Sequence, residues 1–166
     1  EIGTLEDDSK PDKKLPTDSE LLEFFEKLQL NNILKGDFVI EERPHQISIQ
    51  SNDFTAQELV HKIQNESSLK NSPVKIVESS HSMDILSKNI SKLNMIDIIK
   101  KMKTDNATIL CIGDKGKYPG NDFEILNTEF TLSVDEISES LDRCWNLLTT
   151  PMSGEKGVLS YFMDMN

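Results

Sequence analysis

Between residues 107 and 126 the chain reads ATILCIGDKGKYPGNDFEIL. Gly113-Asp114 and Asn121-Asp122 put two carboxylates into a segment otherwise rich in glycine, lysine and proline. The apolar run at 108–112 predicts a strand, so both acids are expected just past its carboxyl end. In open α/β sheets the crevice there is where ligands bind. Two carboxylates on such a loop can offer hard oxygen to Mg²⁺, which takes octahedral oxygen at about 2.0–2.1 Å and keeps several waters. The same residue types are also ordinary turn formers. The strand before the loop and a short helix expected at 123–126 favour the ligand-binding alternative.

Lys92 is the second candidate. It follows Ser91 at the start of a predicted helix, where a cation has the wrong sign for the helix dipole. A phosphate or a nearby aspartate would favour it there; the alternative is a solvated lysine among Lys88, Lys100, Lys101 and Lys103. Ser79, Ser80, His81 and Ser82 form a polar turn that either faces a substrate or simply joins two strands. His45 and His61 stand apart, and no pair of histidines has metal-ligand spacing. There is no nucleophile elbow, and no Walker loop or dinucleotide fingerprint. Cys111 and Cys144 are too few for a disulfide framework or a zinc site, and Cys144-Trp145 reads as core.

These groups need elements to hold them. Residues 1–14 are polar and aperiodic, a lead-in or linker. Thr17 with Glu20, and Thr55 with Glu58, are candidate capping boxes ahead of two amphipathic helices. Short strands are expected at 39–40, 47–49, 74–77 and 83–86, giving residues 15–86 an α+β character. From 87 to 166 the order changes: a helix faced by Leu93, Ile96, Ile99 and Met102, the strand at 108–112, the short helix, a strand at 129–134, and a last helix containing Val158, Leu159, Tyr161 and Phe162. That alternation predicts an α/β unit, a parallel sheet flanked by helices.

With 29 acids against 18 bases the net charge is −11. That field repels phosphate backbones and argues against a nucleic-acid partner. It leaves room for a small phosphorylated substrate, because a bound cation and local lysines invert the field in a pocket. No apolar run has membrane length and no signal-peptide pattern is present, so a soluble, cytoplasmic protein is expected, without a membrane partner.

On these residues the sequence resembles the haloacid dehalogenase (HAD) superfamily, in its phosphatases with an inserted type II cap. GDKGKYPGND is similar to the family's fourth motif and Ser91-Lys92 to its third, and the similarity extends from about residue 15 to 166. VESSHSMDIL followed by a lysine-bearing helix is similar to the sugar-phosphate phosphatase and phosphomannomutase-like members. The resemblance implies a partial Rossmannoid core at 87–166 and a substrate-selecting α+β cap at 15–86. It implies Mg²⁺ as cofactor, Asp114 and Asp122 at the metal, Asn121 and Gly113 supporting that loop, and Lys92 neutralising the phosphoryl group. His81 and Arg43 are implied substrate contacts. The family's Asp-x-Asp motif, which supplies the nucleophile, has no match in these residues. The expectation is therefore the second half of a phosphatase core with its cap, needing an N-terminal half from the same or a separate chain. The alternatives are a non-catalytic binding module and, within the enzyme class, a phosphoryl-transfer mutase.

Overall fold

Two sheets organise the chain, and each follows from a different hydrophobic pattern. The computed structural model describes residues 17–34, 36–66, 72–102, 108–149 and 151–165; the polar lead-in expected at 1–14 lies outside them. In the first half, β1 (Phe38–Arg43), β2 (Gln46–Ser51), β3 (Val74–Glu78) and β4 (Met83–Ser87) form an antiparallel sheet in the order β1-β2-β4-β3. The register pairs Ile47 with Ile85 and Ile49 with Met83. Because side chains alternate along a strand, these four apolar residues share one face, and all are completely buried.

Helices α1 (Ser19–Leu30) and α2 (Ala56–Gln64) cover that face. They contribute Leu21, Phe24, Phe25 and Leu28 from one helix, and Leu59, Val60 and Ile63 from the other. Fully burying one such side chain is worth about 1.5–3 kcal/mol, so this cluster dominates the stability of the first half. The capping box opening α2 is present: the Glu58 amide donates to Thr55 Oγ1 at 3.2 Å and the Thr55 amide to Glu58 Oε2 at 2.8 Å. The one expected at Thr17 and Glu20 is not. Asp18 occupies the N-cap, and its side chain makes no cap bond. Its carboxylate instead accepts from His45 Nδ1 at 2.9 Å and from Ser87 Oγ, which ties the start of α1 to the sheet.

In the second half, β5 (Cys111–Lys115) and β6 (Thr131–Glu136) pair in parallel, accompanied by α3 (Leu93–Met102), α4 (Phe123–Leu126) and α5 (Gly154–Asp164). Both strands begin later than their apolar runs suggest. A strand is defined by its partner, and the ladder starts where Cys111 meets Thr131. Residues 108–110 are outside it, so Gly113 and Asp114 lie in the strand rather than beyond it. Gly157 of α5 sits so close to β6 that a Cβ there would meet Val134 at 2.8 Å. Tyr161 donates its hydroxyl to the Ser133 carbonyl at 2.8 Å.

The expected face of α3 is not buried as a stripe. Ile96 is buried, whereas Met95, Ile98, Ile99 and Met102 are exposed, as are Leu159, Phe162 and Met163 of α5. Cys144 is buried as expected but Trp145 is half exposed, its indole nitrogen donating to the Leu141 carbonyl. Among the described residues no helix is long and apolar enough to cross a membrane.

Candidate functional site

The acidic loop is held from the other sheet. The Glu78 amide, at the end of β3, donates to the Pro119 carbonyl at 2.9 Å, and the Asn121 amide returns a bond to the Glu78 carbonyl at 2.8 Å. Gly120 sits between them, where a Cβ would meet the Lys115 carbonyl oxygen at 2.3 Å, so the sharp course of the chain there requires glycine. Lys115 anchors the base of the loop through ion pairs with Glu136 and, at 3.8 Å, with Glu78.

That scaffold places Asp122 at the centre of the site, 6% exposed. One carboxylate oxygen accepts from Lys92 Nζ and the other from the Asp114 amide, the latter at 2.9 Å. Gly113 makes the approach possible, since a Cβ there would meet Asp122 Oδ2 at 2.5 Å. The Asp114 carboxylate accepts from Ser80 Oγ at 3.0 Å, so the β3–β4 turn reaches the site through a serine. Ser91 donates to Glu124 Oε2 at 2.5 Å and accepts from the Leu93 amide at 3.0 Å, fixing the turn that carries Lys92. The other Glu124 oxygen pairs with Lys75 at 2.5 Å.

The two aspartates are driven apart electrostatically. Burial pushes Asp122 up, but the Lys92 ammonium and the Asp114 amide outweigh it and hold the carboxyl below its ordinary value. For Asp114, burial and the neighbouring Asp122 carboxylate both push up, and the Ser80 hydroxyl only partly offsets them. The two carboxyls are thus shifted in opposite directions, Asp122 downward and Asp114 upward.

Lys92, Asp114, Asp122, Asn121 and Gly113 are therefore brought together. The expected substrate contacts fare differently. Arg43 lines a nearby cavity, but its guanidinium is paired with Glu41 at 2.9 Å. His81 is exposed on the turn and does not line that cavity; its neighbours Ser80 and Ser82 are the engaged residues. Glu124, Lys75, Ser48 and Asp84 were not singled out from the sequence. The alternations Ile47-Ser48-Ile49 and Met83-Asp84-Ile85 were the signal for the last two, since they send polar side chains to the face opposite the core.

The cavity has a volume of about 430 Å³ and runs from Lys92, Asn121 and Glu124 to Ser48, Ser82 and Asp84. A larger one, about 590 Å³, lies beside Phe24, Ile63 and Tyr118 and meets neither Lys92 nor the two aspartates. Asn121 lines both, and its Oδ1 is buried with no hydrogen-bond partner among the described residues. Leaving such an oxygen unpaired costs about 1–3 kcal/mol, so it invites a donor or a cation.

Do these groups suit magnesium? Among the described residues no set of three or more His, Cys, Asp or Glu could hold a metal by itself. Mg²⁺ binds through one or two carboxylates and keeps its waters. The Asp114 carboxylate, bonded to the Ser80 hydroxyl, is one group that fits such an ion. Asp122, the other expected metal-site acid, has its two oxygens engaged by Lys92 and the Asp114 amide.

No family model matches the sequence, and no curated protein matches it. Solved structures do. The chain is similar to IMP-bound, N-terminally truncated IMP-nucleotidase of Plasmodium falciparum, at 20% identity and a TM-score of 0.52, over 75% of this chain and 37% of that one. A further structure of the truncated nucleotidase matches at 20% identity and a TM-score of 0.44, over 72% and 34% of the two chains. Trehalose-6-phosphate phosphatase of Aspergillus fumigatus matches at 16% identity and a TM-score of 0.39, over 87% and 57%. The likeness is one of fold and rests on the first of these. It gives the chain a mixed α/β fold like that of the part of the nucleotidase it matches, about 37% of that protein's length.

Proposed function

We propose that this chain carries the phosphate-facing lysine and one side of the magnesium site of a HAD-type phosphatase acting on a small, sugar-like phosphate monoester. The observation that carries the reading is the convergence on Asp122. Lys92 from before α3 and the Asp114 amide from β5 grip the two oxygens of one buried carboxylate. Phosphoryl transfer is catalysed mainly by positioning and charge stabilisation, and this arrangement fixes a cation where a phosphoryl group would need one. Asp114 would hold Mg²⁺, with Asn121 and Gly113 shaping its loop. When bound, that ion supplies charge neutralisation at the phosphate oxygens.

In this reading residues 15–86 are the cap and 87–166 the second half of the core. The nucleophilic aspartate comes from an N-terminal half, in the same parent chain or in a separate one. Two features support such a partner: the outer edge of β5 has no strand beside it among the described residues, and α3 and α5 expose Ile98, Ile99, Met102, Phe162 and Met163. An unpaired edge next to apolar helices is a surface that soluble proteins cover. The same features suit a two-chain enzyme, so that is the second reading.

The test is Mg²⁺-dependent phosphate release from an aryl phosphate. The chain alone should give none, addition of the N-terminal half should restore it, and Asp114→Ala should abolish the restored activity. Turnover by the isolated chain would refute this account of the nucleophile.

A further inference from the structure

The four-stranded sheet has two edges, and they are guarded differently. β1 carries Glu41, Glu42 and Arg43, and charges on an edge strand deter further pairing. β3 is the other edge. Its residues Val74 and Ile76 are neither charged nor proline, and its ladder with β4 runs without a bulge.

The backbone groups which that edge presents follow from Glu78. In an antiparallel ladder alternate residues bond to the partner strand, and those between turn their N–H and C=O the other way. Glu78 points outward, because its amide and carbonyl both bond to the loop, at Pro119 and Asn121. Val74 and Ile76, four and two residues earlier, therefore point outward as well. Apart from the bridge between Glu78 and Gly120, no strand among the described residues pairs with this edge. A row of outward donors and acceptors is a template for another strand.

The space beside the row suits one. The cavity of about 590 Å³ is lined by Val74 and Ile76 of the edge, Tyr118 and Pro119 of the loop, and Phe24 and Ile63 of the apolar core. Its charged residues are Lys75, Lys88 and Glu124. Lys75 and Glu124 pair with each other, so the exposed Lys88 makes the lining positive in a chain of net charge −11. Backbone pairing along an edge, with alternate side chains entering a pocket, is how an extended peptide is held. The loop already does this at Glu78.

We propose that the β3 edge and this cavity form a docking groove for an extended segment of a partner protein. The segment adds a fifth strand beside Val74 and Ile76, sends apolar side chains toward Phe24 and Ile63, and sets an acidic one against Lys88. The proposal is independent of the phosphate-ester reading above.

The test uses the full chain and two fluorescent pentapeptides of alternating valine and threonine, capped at both ends, with glutamate at one end or the other. Binding is followed by anisotropy and backbone amide spectra. The peptide that sets its glutamate against Lys88 should bind more tightly and shift the amides of Val74, Ile76 and Tyr118; Lys88→Glu should erase its advantage. N-methylating every second peptide amide should weaken binding at least ten-fold in one of the two possible patterns and little in the other, since only one set faces β3. Ile76→Pro removes an outward donor that the sheet itself does not use, and proline is accepted at such edge positions, so it should fold and bind at least ten-fold more weakly. Thermal melts establish the folding; if Ile76→Pro does not fold, the methylated peptides carry the test. No binding by either peptide, equal weakening by the two methylation patterns, or shifts that miss Val74 and Ile76 would overturn the groove and leave the phosphate site untouched.

Discussion

The two sheets are stabilised by different means. The antiparallel sheet has its apolar face sealed by α1 and α2, with Leu21, Leu28, Ile47, Ile49, Met83 and Ile85 all fully buried. The parallel pair β5–β6 has two strands, which is too few to stand alone in water, and its helices expose much of their apolar surface. What orders the second region is largely polar: Lys115 between Glu136 and Glu78, Glu124 between Lys75 and Ser91, Asp122 between Lys92 and the Asp114 amide. The first region buries one large apolar core; the second buries fewer apolar side chains, Leu126, Val134 and Tyr161 among them, and is tied to the first by polar contacts. A region with a large apolar core thus positions a second one that carries Lys92, Asp114 and Asp122.

Truncating the core of the first region should have the largest effect. Phe24→Ala removes a side chain that is 2% exposed, and such changes cost about 3–5 kcal/mol. Chemical denaturation should show the site residues losing order in the same transition; survival of the β5–β6 region beyond it would break the comparison.

Lys115→Met comes next, because it severs a polar anchor and strands two acids. Unpaired groups of this kind cost about 1–3 kcal/mol, discounted here because Glu136 is partly exposed. Burial already holds Glu78 above its ordinary value, and Lys115 pulls the other way. Without the lysine the folded-state pKa rises further, so the unfolded state ionises first as pH increases. The stability deficit should therefore be full at neutral pH and shrink as pH falls through that raised value. Denaturation midpoints across the acid range check this, and a deficit independent of pH would remove the electrostatic account.

Ile99→Ala should be nearly silent in the isolated chain, within about 0.5 kcal/mol as for other exposed positions. If the proposed N-terminal half packs on this face, the same substitution should weaken its association. A large loss of stability in the chain alone would mean that α3 is already packed.

The smallest effect belongs to Asp18. His45 and then Ser87 hold its carboxyl below the ordinary value. Its contribution is therefore present above the normal carboxylate range and lost as pH falls through the depressed value. His45→Ala should lower the neutral value slightly and leave the stability at acid pH, where the contribution is already lost, unchanged, which flattens that part of the curve.

The α/β class and the two regions could be read from hydrophobic period alone, because period two and period 3.6 are local properties. Residue types and order singled out the loop with Asp114 and Asp122, while the place of Lys92 beside Asp122 was implied only by the family resemblance. What escaped is what depends on partners distant in sequence. The start of β5 is set by Thr131, the N-cap of α1 by His45 and Ser87, and the polar cavity by the opposition of Ser48 and Asp84. Each polar residue looks like ordinary surface until the register sets it beside another. The face of α3 illustrates the converse: its periodicity was read correctly, but the described residues do not cover it.

The two peptide hydrogen bonds between Glu78 and the loop at Pro119 and Asn121 have a mechanical meaning. They splice the loop onto the end of β3, so the loop is registered to the antiparallel sheet as closely as to its own strand. Any rigid-body swing of that sheet must drag Asn121 and Asp122 along or break both bonds. The distance between the wall formed by Ser48 and Asp84 and Lys92, which is bonded to Asp122, is then not adjustable independently of the loop's shape.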